Sequence, residues 1–298
     1  MRWSILDRWS RAALMPFAFG LATVALAMPP DTGAIRDAAA LVPIDDDGAR
    51  IIVLGELHGT RETPALAEAL VRRLAERGEP VTLALEAHAS EQSRIDAFLA
   101  SSGDTVSRSE LQSGPFWAVP PGRSDGRRSV ALLDLLDAVR RLRGDGAALR
   151  VLAFDAGNAG AGADERNRRM AARLREAVES DSARRFVVLI GNYHARRAPP
   201  TNVVGLMPGQ APPVPTFAHL ADLPMLRINV SARAGEFWAC MAGTCGPRPV
   251  GARGASGGAT IPDDEAPAFH RTPDDATGWD AQLRLPTFSV AAPAVPSR

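Results

Sequence analysis

Four short apolar runs, Arg50 to Leu54, Val81 to Leu85, Leu149 to Phe154 and Arg185 to Ile190, alternate along this chain with longer segments of helical periodicity. Continuous runs rich in Val, Ile and Leu read as strands buried on both faces, and their alternation with helices dictates a parallel or mostly parallel sheet. The sequence therefore predicts an α/β fold: a mostly parallel central sheet with helices on both faces. The helices read clearly. Thr63 and Pro64 open one as a capping side chain and a proline at the first helical position, with Leu66, Leu70, Val71 and Leu74 as its apolar stripe and Gly78 as its stop. A second begins near Ser90 and buries Ile95, Phe98 and Leu99. A third, Ser129 to Leu142, turns Leu132, Leu133, Leu136 and Val139 inward. A fourth, Asp164 to Glu179, has Met170, Leu174 and Val178 as its inner face.

Residues 101 to 128, rich in Gly, Ser and Pro, read as a long loop, in which Phe116-Trp117 suggests a folded lid. Beyond Arg197 the pattern changes to Pro-rich turns and short β-type runs, Val203 to Met207, Met225 to Val230, Glu236 to Cys240 and Gln282 to Val290, expected to extend the same sheet as partly antiparallel strands. Pro247 to Thr277 lacks periodicity and reads as a surface loop. The organisation expected is a signal peptide over 1–27, then a single α/β domain over 28–298, with a core at about 49–197 and a β-rich extension at about 198–298.

The leader is processing information. Arg2, Arg8 and Arg11 precede the apolar segment Ala12 to Ala27, which closes in Ala25-Leu26-Ala27, the pattern of a secretory signal with its cleavage site. About 270 residues remain, enough for one substantial core, with no further apolar run long enough to span a bilayer. A periplasmic or secreted protein without a stable membrane span is expected. The 34 basic and 34 acidic side chains balance, which gives no reason to expect a nucleic-acid partner. All of those basic side chains are Arg, so a Lys nucleophile or Schiff base is excluded. Cys240 and Cys245 most simply close a small disulfide loop in an exported chain.

Chemistry gathers at the strand ends. Two boxes of the same form, Gly55-Glu56-Leu57-His58 and Gly191-Asn192-Tyr193-His194, each follow an apolar run, while the other two runs deliver Glu86 and Asp155. In a parallel sheet these ends share one edge, where α/β proteins build their sites. If the chain stays extended past Leu54, Glu56 and His58 project to the same side and Leu57 points into the core. A carboxylate beside an imidazole raises its basicity and fixes its tautomer, as a base that activates water requires. The candidate catalytic set is Glu56, His58, Glu86 and His194, with His88 in support. His58, His194 and Glu56 would equally satisfy a divalent metal that keeps a water position open. Taken singly, each residue has an ordinary alternative: Glu86 as a helix cap, Asp155 as a ligand of its own Gly-rich turn, His219 and His270 as loop residues.

The segments Gly55 to Glu62, Leu85-Glu86, Arg166 to Ala171 and Gly191 to Arg197 resemble, in this order, the motifs of the superfamily that joins erythromycin esterases, ChaN-like haem-uptake proteins and TIKI/TraB proteins. The resemblance is closest to the exported ChaN-like group and covers about Ala49 to Arg197, more weakly His219-Leu220. In the esterases it implies His58 as the water-activating residue, Glu56 and Glu86 as supporting carboxylates and His194 as the second imidazole. In the TIKI type, the histidines and an acid hold a divalent metal for peptide hydrolysis. In the ChaN type a Tyr ligates haem iron, and Tyr193 is the one tyrosine of this chain. Two departures stand out. Asn167 occupies a position where the family commonly has Asp, so a role that needs a carboxylate there is lost or is supplied by Asp164 or Glu165. Phe217-Ala218 replaces a common Met-Gly before His219-Leu220.

These readings lead to an exported hydrolase of ester or amide bonds acting on a small-molecule or peptide substrate. Here His58 is the base, Glu56 and Glu86 orient and charge-stabilise it, and His194 is the acid or oxyanion donor. Arg166, Asp155 and Tyr193 face the substrate, Arg166 through an anionic group. A haem-binding protein without turnover is the alternative.

Overall fold

A computed structural model describes residues 30–45, 48–157, 162–200, 210–241, 243–250, 266–272 and 278–294. The expected signal peptide over 1–27 and the expected strand at 203–207 lie outside the described residues.

The strands are β1 (Ile51–Glu56), β2 (Val81–His88), β3 (Leu149–Asp155), β4 (Arg185–Gly191), β5 (Met225–Met241), β6 (Thr244–Pro249), β7 (Ala268–Arg271) and β8 (Ala281–Phe288). The helices are α1 (Thr32–Leu41), α2 (Glu62–Glu76), α3 (Gln92–Leu99), α4 (Thr105–Gln112), α5 (Val130–Gly144) and α6 (Ala163–Ser180). One sheet runs in the order β3-β2-β4-β1-β5-β8-β7, with β6 paired to β5 off this path. From β3 across to β8 every pairing is parallel; only β7 on β8 and β6 on β5 are antiparallel.

Connection handedness explains where the helices sit. The chain steps in one direction from β1 over the later β4 to β2 and then β3, and right-handed crossovers place α2 through α5 on one face. It then returns from β3 to β4, which puts α6 on the other. The two cores match. Ile52 and Leu54 join Leu66, Leu70, Leu136 and Val139 on the first face, while Ile51 and Val53 join Met170, Leu174 and Val178 on the second. Every β1 residue is buried, and truncating one such as Leu54 to Ala costs about 2–5 kcal/mol.

Several expectations need correction. Helix α2 begins at Glu62 without a side-chain cap, and Thr63 meets Thr60 hydroxyl to hydroxyl at 3.1 Å instead. The 101–128 loop contains a helix of its own, α4, capped by Asp104. Met225 to Val230 and Glu236 to Cys240 are one strand, β5, whose first part pairs in parallel with β1 and whose far end leaves the central sheet to pair with β6. The segment read as a surface loop from Pro247 contains the end of β6 and all of β7, which carries the exposed His270. Cys240 and Cys245 face each other across the β5–β6 hairpin and are disulfide-bonded.

Candidate active site

The sheet's order places the chemistry at a switch point, since β1 and β2, consecutive in sequence, flank β4. A crevice beyond the carboxyl ends of the strands is where such sheets bind ligands. Glu56 is the last residue of β1, and the chain turns immediately afterwards, so His58 reaches the site from a turn rather than from an extended strand. Its Nδ1 nevertheless lies 2.7 Å from Glu56 Oε1, and Leu57 packs against the core. On β2 the register with β3 shifts between Leu85 and His88, an irregularity at the point where Glu86 enters the site.

Glu86 is the hub. Its Oε2 accepts the Gly191 backbone N–H at 2.8 Å and lies 3.6 Å from His58 Nε2, while its Oε1 accepts from Arg166 at 2.7 Å and Arg127 at 3.1 Å. Asp155 mirrors it on β3: Oδ1 accepts from Arg166 Nε at 2.9 Å and Gly157 N at 2.8 Å, and Oδ2 accepts from Arg166 at 2.8 Å and Arg127 at 3.3 Å. The turn-binding role considered for Asp155 therefore coexists with its place in the site. His88 stands at the edge, 4.0 Å from Asp155 and edge-on to Phe116.

Both carboxylates are almost fully buried and stay ionised. For Glu86 burial alone would favour the neutral acid, but His194, His58, Arg127 and Arg166 together hold its pKa far below the ordinary carboxylate range. Asp155 is likewise lowered, with burial outweighed by Arg166 and the Gly157 N–H. Neither can serve as a general acid.

The two imidazoles are tuned in opposite directions. At His58 burial works against the charged form, yet the charge and hydrogen bond of Glu56 and the charge of Glu86 outweigh it, so the pKa is raised. At His194 burial prevails over the attraction of Glu86, helped by Arg166, and the pKa is lowered. The difference follows from the partners. His194 Nδ1 lies 2.8 Å from Asn167 Oδ1, and Asn167 is wholly buried. The amide's orientation is assigned from its other bonds: Nδ2 donates to the Val214 carbonyl and Oδ1 also accepts from Thr216. His194 Nδ1 must then donate. Its Nε2, 3.2 Å from Arg166 Nη1, is left as an acceptor.

This arrangement changes three roles. His194, neutral and with no proton on Nε2, does not fit an acid or oxyanion donor; it holds Arg166. Arg166 has four of its five N–H donors engaged, by Asp155, Glu86, Asp155 again and His194, so it organises the site rather than presenting an open fork to an anionic substrate. Asn167 fills its position itself, since Asp164 is bonded to Val214 N and Glu165 pairs with Arg168 and Arg169.

Arg127 and Asp125 belong to the candidate site and are not apparent from the sequence. Arg127 bridges Asp125 at 2.7 Å to Glu86 and Asp155, on the same two carboxylate oxygens that Arg166 engages. The signal available was slight: an Asp-Gly-Arg-Arg run in a polar loop.

A metal fits poorly. Among the described residues no three His, Cys, Asp or Glu side chains gather so as to hold an ion. Glu56 is engaged by His58, and two guanidinium groups supply the positive charge between Glu86 and Asp155. The set His58, His194 and Glu56 put forward as ligands does not close on one point. Tyr193 also does not fit an iron ligand as it stands. Its hydroxyl donates to the Pro213 carbonyl at 2.5 Å, and burial with the charge of Asp164 raises its pKa away from the phenolate.

Gly191 lets the His58 ring lie against the backbone of the second box. A Cβ on Gly191 would stand 2.7 Å from Nε2 and 3.3 Å from Glu86 Oε2.

No family model matches the chain, and no curated protein matches it significantly. Solved structures do. A protein from Bacillus cereus superposes with a TM-score of 0.55 at 12% identity, over 90% of this chain and 100% of that one. This chain shares that fold. A variant of the erythromycin esterase EreC in its open conformation is similar with a TM-score of 0.49 at 13% identity, over 82% and 92% of the two chains. ChaN of Campylobacter jejuni, solved with cofacially bound haem, has a TM-score of 0.39 at 14% identity, over 61% and 81%. Among the described residues no helix is long and apolar enough to cross a membrane.

Proposed function

We propose that this protein is an exported hydrolase of ester or amide bonds that activates water without a metal. The observation that carries the reading is the Glu56–His58–Glu86 line: Nδ1 is fixed at 2.7 Å by Glu56, and Nε2 lies 3.6 Å from Glu86 Oε2 on a ring that solvent still reaches. Water there gives its proton to His58 Nε2 as its oxygen attacks the acyl carbon. Glu56 stabilises the imidazolium that forms, and Glu86, ionised throughout, holds the second side of the ring. His58 then returns the proton to the departing alcohol or amine. Arg127 and Arg166 hold Glu86 ionised, so that His58 rather than Glu86 is the group that takes up the proton.

Export is part of the proposal, supported by the leader sequence and by the disulfide, which belongs to an oxidising compartment. The test is hydrolysis of a panel of nitrophenyl esters and peptide amides by wild type and His58→Ala. Loss of turnover with an unchanged circular dichroism spectrum supports the reading, and an active, folded variant overturns it. The haem alternative predicts a visible absorption band on adding hemin that disappears in Tyr193→Phe.

A further inference from the structure

The far end of β5 passes over the site from the C-terminal extension, and three backbones meet there. Trp238 N donates to Gly59 O at 2.9 Å, one residue beyond His58. A Cβ on Gly59 would stand 2.2 Å from the Trp238 carbonyl oxygen, and one on Gly126 would stand 2.7 Å from that oxygen and 2.6 Å from Gly59 N. Both glycines have positive φ, 80° and 95°, so neither contact admits another residue without strain. The indole Nε1 of Trp238 donates to Ser124 O at 3.0 Å. One tryptophan thus grips both the turn that carries His58 and the loop Ser124-Asp125-Gly126-Arg127. Two residues further, Cys240 is bonded to Cys245, closing the hairpin whose second strand pairs Pro247 with Trp238.

We infer that Trp238 is a positioning residue for the hydrolysis proposed above, and that the Cys240–Cys245 hairpin is the clamp through which it holds Arg127 between Glu86 and Asp125. The inference rests on the hydrolase reading for its kinetic consequences, but the clamp itself is a structural claim. Cys240 is exposed, so the bond is open to a reductant. Reduction by an added dithiol transfers two electrons and two protons: the S–S bond breaks, two thiols form, and the dithiol leaves as its own disulfide. Without the cross-link the hairpin end frays, and Trp238 releases Ser124 and Gly59 together. Arg127 is one of the cations that oppose the charged form of His58. Loosening it raises the imidazole further.

The experiment compares untreated protein, dithiol-reduced protein, Cys240→Ala/Cys245→Ala and Trp238→Phe, which keeps an aromatic ring and loses the indole N–H. Two readouts are taken: backbone hydrogen exchange over 124–128, and kcat against pH. Faster exchange confined to these loops, kcat lower by about 10- to 100-fold and an acidic limb moved to higher pH are expected in the reduced and double-Ala forms, with a smaller change in the same direction in Trp238→Phe. Unchanged exchange over 124–128 in the double-Ala protein overturns the clamp, whatever the kinetics do. Faster exchange with an unmoved pH profile and kcat, in a protein whose turnover His58→Ala abolishes, overturns the positioning role. If His58→Ala leaves turnover intact, the hydrolase reading fails on its own, and the exchange data still decide the clamp.

Discussion

The two strand-end boxes look alike in sequence and behave as opposites in the fold. In the first, the partner of the imidazole is a carboxylate, Glu56, and His58 is pushed towards its protonated form. In the second, the partner is a neutral amide, Asn167, and His194 is held as the free base with its proton fixed on Nδ1. Both rings are close to the same Glu86. The charge on the remote nitrogen's partner, more than the shared carboxylate, decides which histidine is pushed towards its charged form and which is held neutral as a fixed strut.

The sharpest break of this contrast is His58→Ala, which should lower turnover by about 10³-fold, within the usual range for losing a general base, with no loss of folded structure. Glu86→Gln should cost both function and about 3–5 kcal/mol of stability, read by denaturant unfolding, because Arg127 and Arg166 then lose a buried counter-charge. Next in size is Gly191→Ala, whose methyl would stand 2.7 Å from His58 Nε2; turnover should fall about 100-fold while the hemin response is unaltered.

Glu56→Gln and Asn167→Asp exchange the character of the two partners. Removing the charge of Glu56 should move the acidic limb of the rate profile to lower pH by about 1 pH unit, with turnover reduced about 10-fold. Adding a charge beside His194 should raise its midpoint by about 1–2 pH units in an NMR titration, making it a second imidazolium that competes for Glu86. Failure of these shifts to run in opposite directions would break the comparison.

In wild type the sign is fixed by His58. Its folded pKa lies above the ordinary value of about 6.5. The stability it contributes is therefore complete below that value and is lost as pH rises through the folded pKa. Turnover needs the free base and should appear over that same rise. Glu86 acts oppositely: its contribution is present at every pH above the ordinary carboxylate range and is lost only in strong acid. The smallest effect belongs to Tyr193→Phe, about 1 kcal/mol or less of stability and no change in hydrolysis.

Much of this was legible. Buried runs of Val, Ile and Leu give the strands of the parallel core, and strand ends in a parallel sheet must share an edge, which is why Glu56, His58, Glu86, Asp155 and His194 could be gathered from sequence. Arg127 could not be, because it is delivered by a polar loop whose path is set by contacts far along the chain, such as Ser124 with Trp238. Asn167 was seen as a departure and read as a loss, since a missing charge is visible in sequence and a gained tautomer is not. The role of Arg166 was misjudged for a similar reason: sequence shows a guanidinium, but only the fold shows that its donors are taken.

A last feature concerns the order of assembly. Beyond β8, Ser289 O accepts from Arg61 N, Ala291 N donates to Gly59 O, Val130 N donates to Ala292 O and Ala294 N donates to Arg128 O. Segments about 160 to 230 residues upstream are thus stitched together by a stretch that leaves the ribosome after all of them. Loop closures of that span are the slow ones. A chain stopped after β8 would carry each of the acids, bases and guanidinium groups of the pocket without the seam that joins them, so the pocket matures late in biosynthesis.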